Sequence, residues 1–152
     1  MDQFKTDREF WALLVPELYI SDLEKSLHFY CGVIGFTQKF ARPEERFAYI
    51  EMGQAQLMLD QIPDDHSKIW KTGDLTKPLG RGINFQIEVR NVQSIYERCI
   101  AANLEVFQPP QTAWYREENH ENGQTQFLIQ DPDGYLLRFM QHLGQREIAV
   151  EF

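Results

Sequence analysis

The chain holds 152 residues, 43% of them hydrophobic and 25% charged, the balance of one globular domain or of two small modules sharing a core. Its 23 acidic residues against 15 basic ones give a net charge of −8, which argues against nucleic acid as a partner, because phosphate binding needs clustered Lys and Arg. No apolar run approaches the roughly 20 residues of a membrane span, and no charged segment leading into an apolar one opens the chain, so the expectation is a cytoplasmic protein with Cys31 and Cys99 as free thiols.

Residues 13–20, LLVPELYI, predict a strand with Pro16, Leu18 and Ile20 on one face and Val15, Glu17 and Tyr19 on the other. A helix follows in SDLEKSLHFYCGVIG. Ser21 or Asp22 can cap its first amides, Leu23, Leu27 and Tyr30 recur at helical spacing, and Gly32 or Gly35 ends it. FTQKFA, RFAYIEM and QAQLMLDQI predict three short strands, with turns around Pro43–Glu45 and at Met52–Gly53. Residues 62–81 hold two prolines, two glycines and many charges, and read as a connector or flap in which Trp70 must find a surface to pack on.

The pattern then restarts. INFQIEV alternates Phe85, Ile87 and Val89 with Asn84, Gln86 and Glu88, and NVQSIYERCIAANL reads as a helix capped by Asn91. EVFQPP, QTQFLIQ and YLLRFMQ read as strands, so the order β-α-β-β-β occurs twice. Between the last two, Asp131, Pro132 and Gly134 sit where a type I turn favours them. REENHENG, 116–123, reads as a hairpin loop or a ligand-side flap, and Arg138 interrupts an otherwise apolar strand.

Four stretches carry a family likeness: ISDLEKSLHFYCGVIGF at 20–36, MGQAQLML at 52–59, WYRE at 114–117 and QDPDGYLLRF at 130–139. Together they resemble the vicinal oxygen chelate superfamily of glyoxalases, extradiol dioxygenases and bleomycin-resistance proteins. The resemblance implies an α+β fold of two tandem βαβββ modules forming a curled-sheet cleft. The first module would span 12–61, a connector 62–81, the second module 82–142, and a C-terminal extension 143–152. Metal-dependent members place a His, Gln or Glu at each of four strand positions. Carried over singly, these fall on Val15, Met58, Asn84 and Arg138. Val and Arg cannot ligate a divalent ion at neutral pH, and Met is a soft ligand suited to copper(I). His28, His66, His120 and His142 match none of the four positions. The resemblance therefore implies no metal and no other cofactor, and points to the bleomycin-resistance branch, whose members are homodimers that sequester cationic, partly planar drugs in clefts at the dimer interface.

On that reading the chain is a metal-free, dimeric binder of a small organic ligand, cationic or aromatic, with neither nucleic acid nor membrane as a partner. The binding residues are expected to be Glu17, Tyr19, Gln86 and Glu88 by alternation, and Met58 and Asp60 by the same rule on the fourth strand. Phe47, Tyr49, Trp70 and Trp114 would supply aromatic walls, and Asn84, Tyr115, Arg116 and Arg138 complete the set. Arg138 would pair with Glu17 or Glu88, or hold a ligand carboxylate. Two enzymatic alternatives stay open. One is a metal-dependent lyase, isomerase or oxygenase with ligands at Glu17, Asp60, Asn84 and Glu88, should the strand register slip by one. The other is a metal-free enzyme with Glu17 or Glu88 as general base and Arg138 stabilising an enolate-like charge. Outside the likeness, Phe10 and Trp11 are candidate dimer contacts. The alternation of Ile148, Val150 and Phe152 predicts an added edge strand.

Overall fold

A computed structural model describes residues 10–65 and 70–148 of the chain. The first half contains β1 (Glu17–Ile20), α1 (Leu23–Leu27), β2 (Thr37–Arg42), β3 (Phe47–Met52) and β4 (Ala55–Gln61). The second contains β5 (Asn84–Glu88), α2 (Val92–Ala101), β6 (Gln108–Glu117), β7 (His120–Gln130) and β8 (Leu136–Glu147). Each helix begins where a short polar side chain satisfies a free amide: Asp22 accepts from Lys25 N at 3.1 Å, and Asn91 accepts from Ser94 N at 3.1 Å. Past α1 the coil widens into a π-helix over His28–Ile34, which ends at Gly35 with φ 115°. No described helix is long and apolar enough to cross a membrane.

Each half forms one four-stranded sheet, in the orders β1-β4-β3-β2 and β5-β8-β7-β6, with the first strand parallel to the last. This corrects the expectation of a curled-sheet cleft. Both sheets are open: the edge strands of each lie three places apart, and no strand of one sheet pairs with the other. The halves meet instead through their helices and through one turn. Leu18, Ile20, Ile50, Leu57 and Leu59 from one sheet and Ile87, Phe127, Ile129, Leu137 and Phe139 from the other join Phe29, Tyr30, Ile34, Ile95 and Cys99 in a single core. Burying each such large side chain contributes about 1.5–3 kcal/mol, enough to hold the helix-bearing faces together, and among the described residues no helix lies on the opposite faces.

Polar bonds fix the seam. Arg98 of α2 donates to Val33 O at 2.9 Å and Ile34 O at 2.6 Å, capping the π-helix of the other half. In the β7–β8 turn, Gly134 N donates to Asp131 O at 3.0 Å. The side chain of Asp133, 1% exposed, accepts from Ser21 N at 3.1 Å and lies 3.4 Å from Lys77 Nζ. Asp131 accepts from Tyr30 Oη at 2.7 Å, and Tyr135 Oη donates to Tyr19 O at 2.8 Å.

Other segments depart from the sequence expectation. The first strand is only Glu17–Ile20, because the carbonyl of Pro16 takes one bond from Met58 N at 2.9 Å while Leu13 and Leu14 stand 77% and 85% exposed. Of the two readings of 116–123 the hairpin holds and the flap does not: Glu117 pairs with His120, and β6 and β7 are joined by a tight turn at Glu118, φ 53°. Residues 143–147 continue β8 and pair with β7, so they form no separate edge strand. Val150, Phe152 and His66 lie outside the described residues.

Candidate functional site: the uncovered face of the first sheet

Strand alternation and register bring Glu17, Tyr19, Met58, Asp60, Phe47 and Tyr49 onto the face opposite the core. Glu17 lies beside Met58, Tyr19 beside Asp60, Asp60 beside Phe47 and Met58 beside Tyr49. Trp70, from the connector, stacks on Tyr19 with ring centroids 3.9 Å apart and planes 6° from parallel. Tyr19 is thereby 2% exposed, whereas Trp70 remains 50% exposed. Trp70 also lies beside Asp60 and helps lower its carboxyl. The Arg42 guanidinium lies 4.0 Å above the Phe47 ring and pairs with Glu45 at 2.6 Å.

The Glu17 and Asp60 carboxyls interact across the β1–β4 pair, each influencing the other's titration. Partial burial raises the Glu17 carboxyl first, then Asp60 raises it further, with Arg42 opposing. Burial likewise raises Asp60, against the lowering by Glu17 and Trp70. An acidic pair beneath a flat aromatic stack is suited chemically to a planar or cationic group.

One wall was not anticipated. Gln56, 3% exposed, accepts from Ala12 N at 2.8 Å and from Tyr49 Oη at 2.6 Å, and donates to Phe10 O at 3.2 Å. It pins the N-terminal segment so that Trp11 packs on Phe40 and Tyr49, with centroids 5.9 and 5.2 Å away. Trp11 thus forms a wall within its own chain, and Phe10 is 50% exposed. The signal was a glutamine in phase with Met58 and Asp60 on β4.

The second sheet presents different chemistry. Asn84, Gln86 and Glu88 are exposed along the edge strand β5, and Gln86 lies beside Arg138. Arg138 makes no ion pair with Glu17 or Glu88, and its Nε, shielded from solvent, has no hydrogen-bond partner among the described residues. Trp114, Tyr115 and Arg116 belong to the β6–β7 ribbon. Trp114 packs on Gly123, where an added Cβ would lie 2.6 Å from its ring, and the Arg146 guanidinium lies 4.1 Å above it. Tyr115 is 48% exposed, and Arg116 Nε donates to Glu118 O at 3.0 Å.

The donor set expected of a metal centre does not assemble. Among the described residues no three His, Cys, Asp or Glu gather, and the inherited positions hold Val15 and Met58 on one half and Asn84 and Arg138 on the other. A concavity of about 820 Å³ lies elsewhere, between the β3–β4 turn and the start of α2. There Asn91 and Gln141 already take up the helix amides of Ser94 and Val92.

Two open βαβββ sheets joined through their helices define a class, and the family model of the "Glyoxalase/Bleomycin resistance protein/Dioxygenase superfamily" matches residues 12–139. The chain belongs to that superfamily. It is 24% identical over 140 residues to proteins named bleomycin resistance protein from Geobacillus stearothermophilus and Staphylococcus aureus, covering 85% of this chain and 96% of theirs. A superfamily member from Vibrio splendidus is 33% identical over 84% of this chain and 95% of its own, at a TM-score of 0.38. TioX from Micromonospora sp. ML1 shares the fold at a TM-score of 0.61 with 21% identity, covering 92% of this chain and all of that one.

Proposed function

We propose that the protein is a metal-free, dimeric binder of a small, flat, cationic molecule, received on the uncovered face of the first sheet. The observation that carries this reading is the Tyr19–Trp70 stack beside the neighbouring carboxyls of Glu17 and Asp60, where the two acids would hold a cation while its flat body lies against the exposed indole. The donor chemistry of Val15, Met58, Asn84 and Arg138 supports the metal-free part, and the likeness to bleomycin resistance proteins supports sequestration rather than turnover. The dimer is supported by the free edges of β1 and β5, each preceded by exposed apolar residues: Leu13 and Leu14 at one, Ile83, 52% exposed, at the other. In cytoplasmic conditions both thiols stay reduced.

Calorimetric titration of EDTA-treated protein with metal-free bleomycin tests the reading. Saturable binding is expected, weakened about tenfold or more in Trp70→Ala and in Asp60→Asn. Binding that appears only after a transition metal is added, or that is equal in both variants, overturns it. Light scattering of the eluted peak tests the dimer directly.

A further inference from the structure

We propose that Arg138, on the face of the second sheet turned away from the helices, is an anion subsite that takes a planar carboxylate. Six other arginines each find an oxygen within the chain: Arg42 on Glu45, Arg46 on Asp64, Arg81 on Thr76, Arg98 on Val33 O and Ile34 O, Arg116 on Glu118 O, and Arg146 on Glu121. Arg138 finds none among the described residues, and its Nε is closed off from water. The register explains why. Its neighbours across the two adjoining strands are Gln86 and Leu128, and along β8 the same face carries Leu136 and Met140. The apolar neighbours strip water from the guanidinium stem, and the neutral glutamine cannot offset its charge. Glu88, the nearest acid by register, forms no ion pair with it. A desolvated cation without a counter-charge is costly unless an anion arrives.

The guanidinium fork matches a carboxylate through two parallel N–H donors, and the Nε edge is one of the donors such a pair uses. Gln86, exposed beside Arg138, can donate to the carboxylate's outer oxygen. The inference rests on the reading that the uncovered sheet faces receive small molecules. It adds a second face of opposite charge preference, so a guest spanning both would be zwitterionic.

Three isosteric probes separate the two faces: benzoate, benzamide and benzamidine, each titrated by NMR into wild type, Arg138→Met and Asp60→Asn. Benzoate should shift the side-chain amide of Gln86 and the Nε–H of Arg138, outbind benzamide, and lose about tenfold or more in affinity in Arg138→Met. Arg138→Lys should recover part of that loss as a point charge without the fork. Benzamidine should be unaffected by Arg138→Met and weakened by Asp60→Asn. Benzoate binding that survives Arg138→Met, or no benzoate binding at all, overturns the subsite even where benzamidine behaves as expected. Failure of benzamidine alone overturns the cation reading and leaves the subsite standing. Displacement of benzoate by inorganic phosphate at equal concentration would show an unselective anion site and overturn the carboxylate assignment. Arg138→Gln carries the same comparison should the methionine variant fail to fold.

Discussion

The β3–β4 turn at Met52–Gly53 and the β7–β8 turn at Asp131–Gly134 hold the same place in the two halves, yet only the second joins them. Gly53 has φ 59° and open space where a Cβ would sit. Gly134 has φ 101°, and a Cβ there would lie 2.4 Å from Pro78 Cβ and 2.6 Å from its Cα. The same topological position thus became a free turn in one half and a buried latch in the other. Substitution to alanine should separate the two. Gly134→Ala combines strained backbone with collision against backbone, and should lower the unfolding free energy by about 3 kcal/mol or more in urea titration. Gly53→Ala meets only the left-handed penalty of about 1 kcal/mol. Equal losses would mean that the second turn is no latch.

The latch also sets a pH response that the first turn lacks. Burial raises the Asp131 carboxyl to about 6, against the bonds donated by Tyr30 and the amides of Asp133 and Tyr135, while the Asp133 charge adds to the rise. A carboxyl whose folded value lies above its unfolded one binds more protons when folded. Its contribution is complete below about pH 4 and fades as pH rises through about 6. Stability measured from pH 4 to 7 should therefore fall by an amount on the order of 2 kcal/mol from this group, and Asp131→Asn should flatten the slope. An unchanged slope would place the response elsewhere. A smaller loss, about 1.5 kcal/mol, is expected for Arg98→Met, which leaves Val33 O and Ile34 O without their charged donor.

The element order and the doubled module were legible because apolar spacing and capping residues are local signals: Asp22, Asn91 and Gly35 each mark a boundary by their own chemistry. The type I turn was legible for the same reason, but its bonds to Ser21, Tyr30 and Lys77 were not, since partners about 50 to 110 residues away leave no trace in a turn's composition. The curled-sheet cleft came from the family likeness and fails because helix-side burial, not sheet-to-sheet pairing, joins the halves. The hairpin at 116–123 was legible from its polar run, but how far its strands pair was not, because a two-stranded arm exposed on both sides has no apolar alternation to read. Trp70 announced only that it needed a surface; that the surface is Tyr19 depends on how the connector returns across the sheet.

The smallest effect probes the sharpest contrast between the two helix-free faces, a pair of interacting carboxyls on one and an arginine without a carboxylate on the other. Glu17→Gln removes one titrating carboxyl beside Asp60. Stability should change by no more than about 0.5 kcal/mol, because Glu17 is exposed at a strand edge. The diagnostic is the indole N–H resonance of Trp70, which lies beside Asp60. In wild type it should follow two coupled carboxyls in two steps. In Glu17→Gln a single step should remain, since an amide has no proton to lose in this range. Identical two-step curves in both proteins would mean that Glu17 is not one of the carboxyls Trp70 senses, and the face would then lack the paired acids that hold a cation.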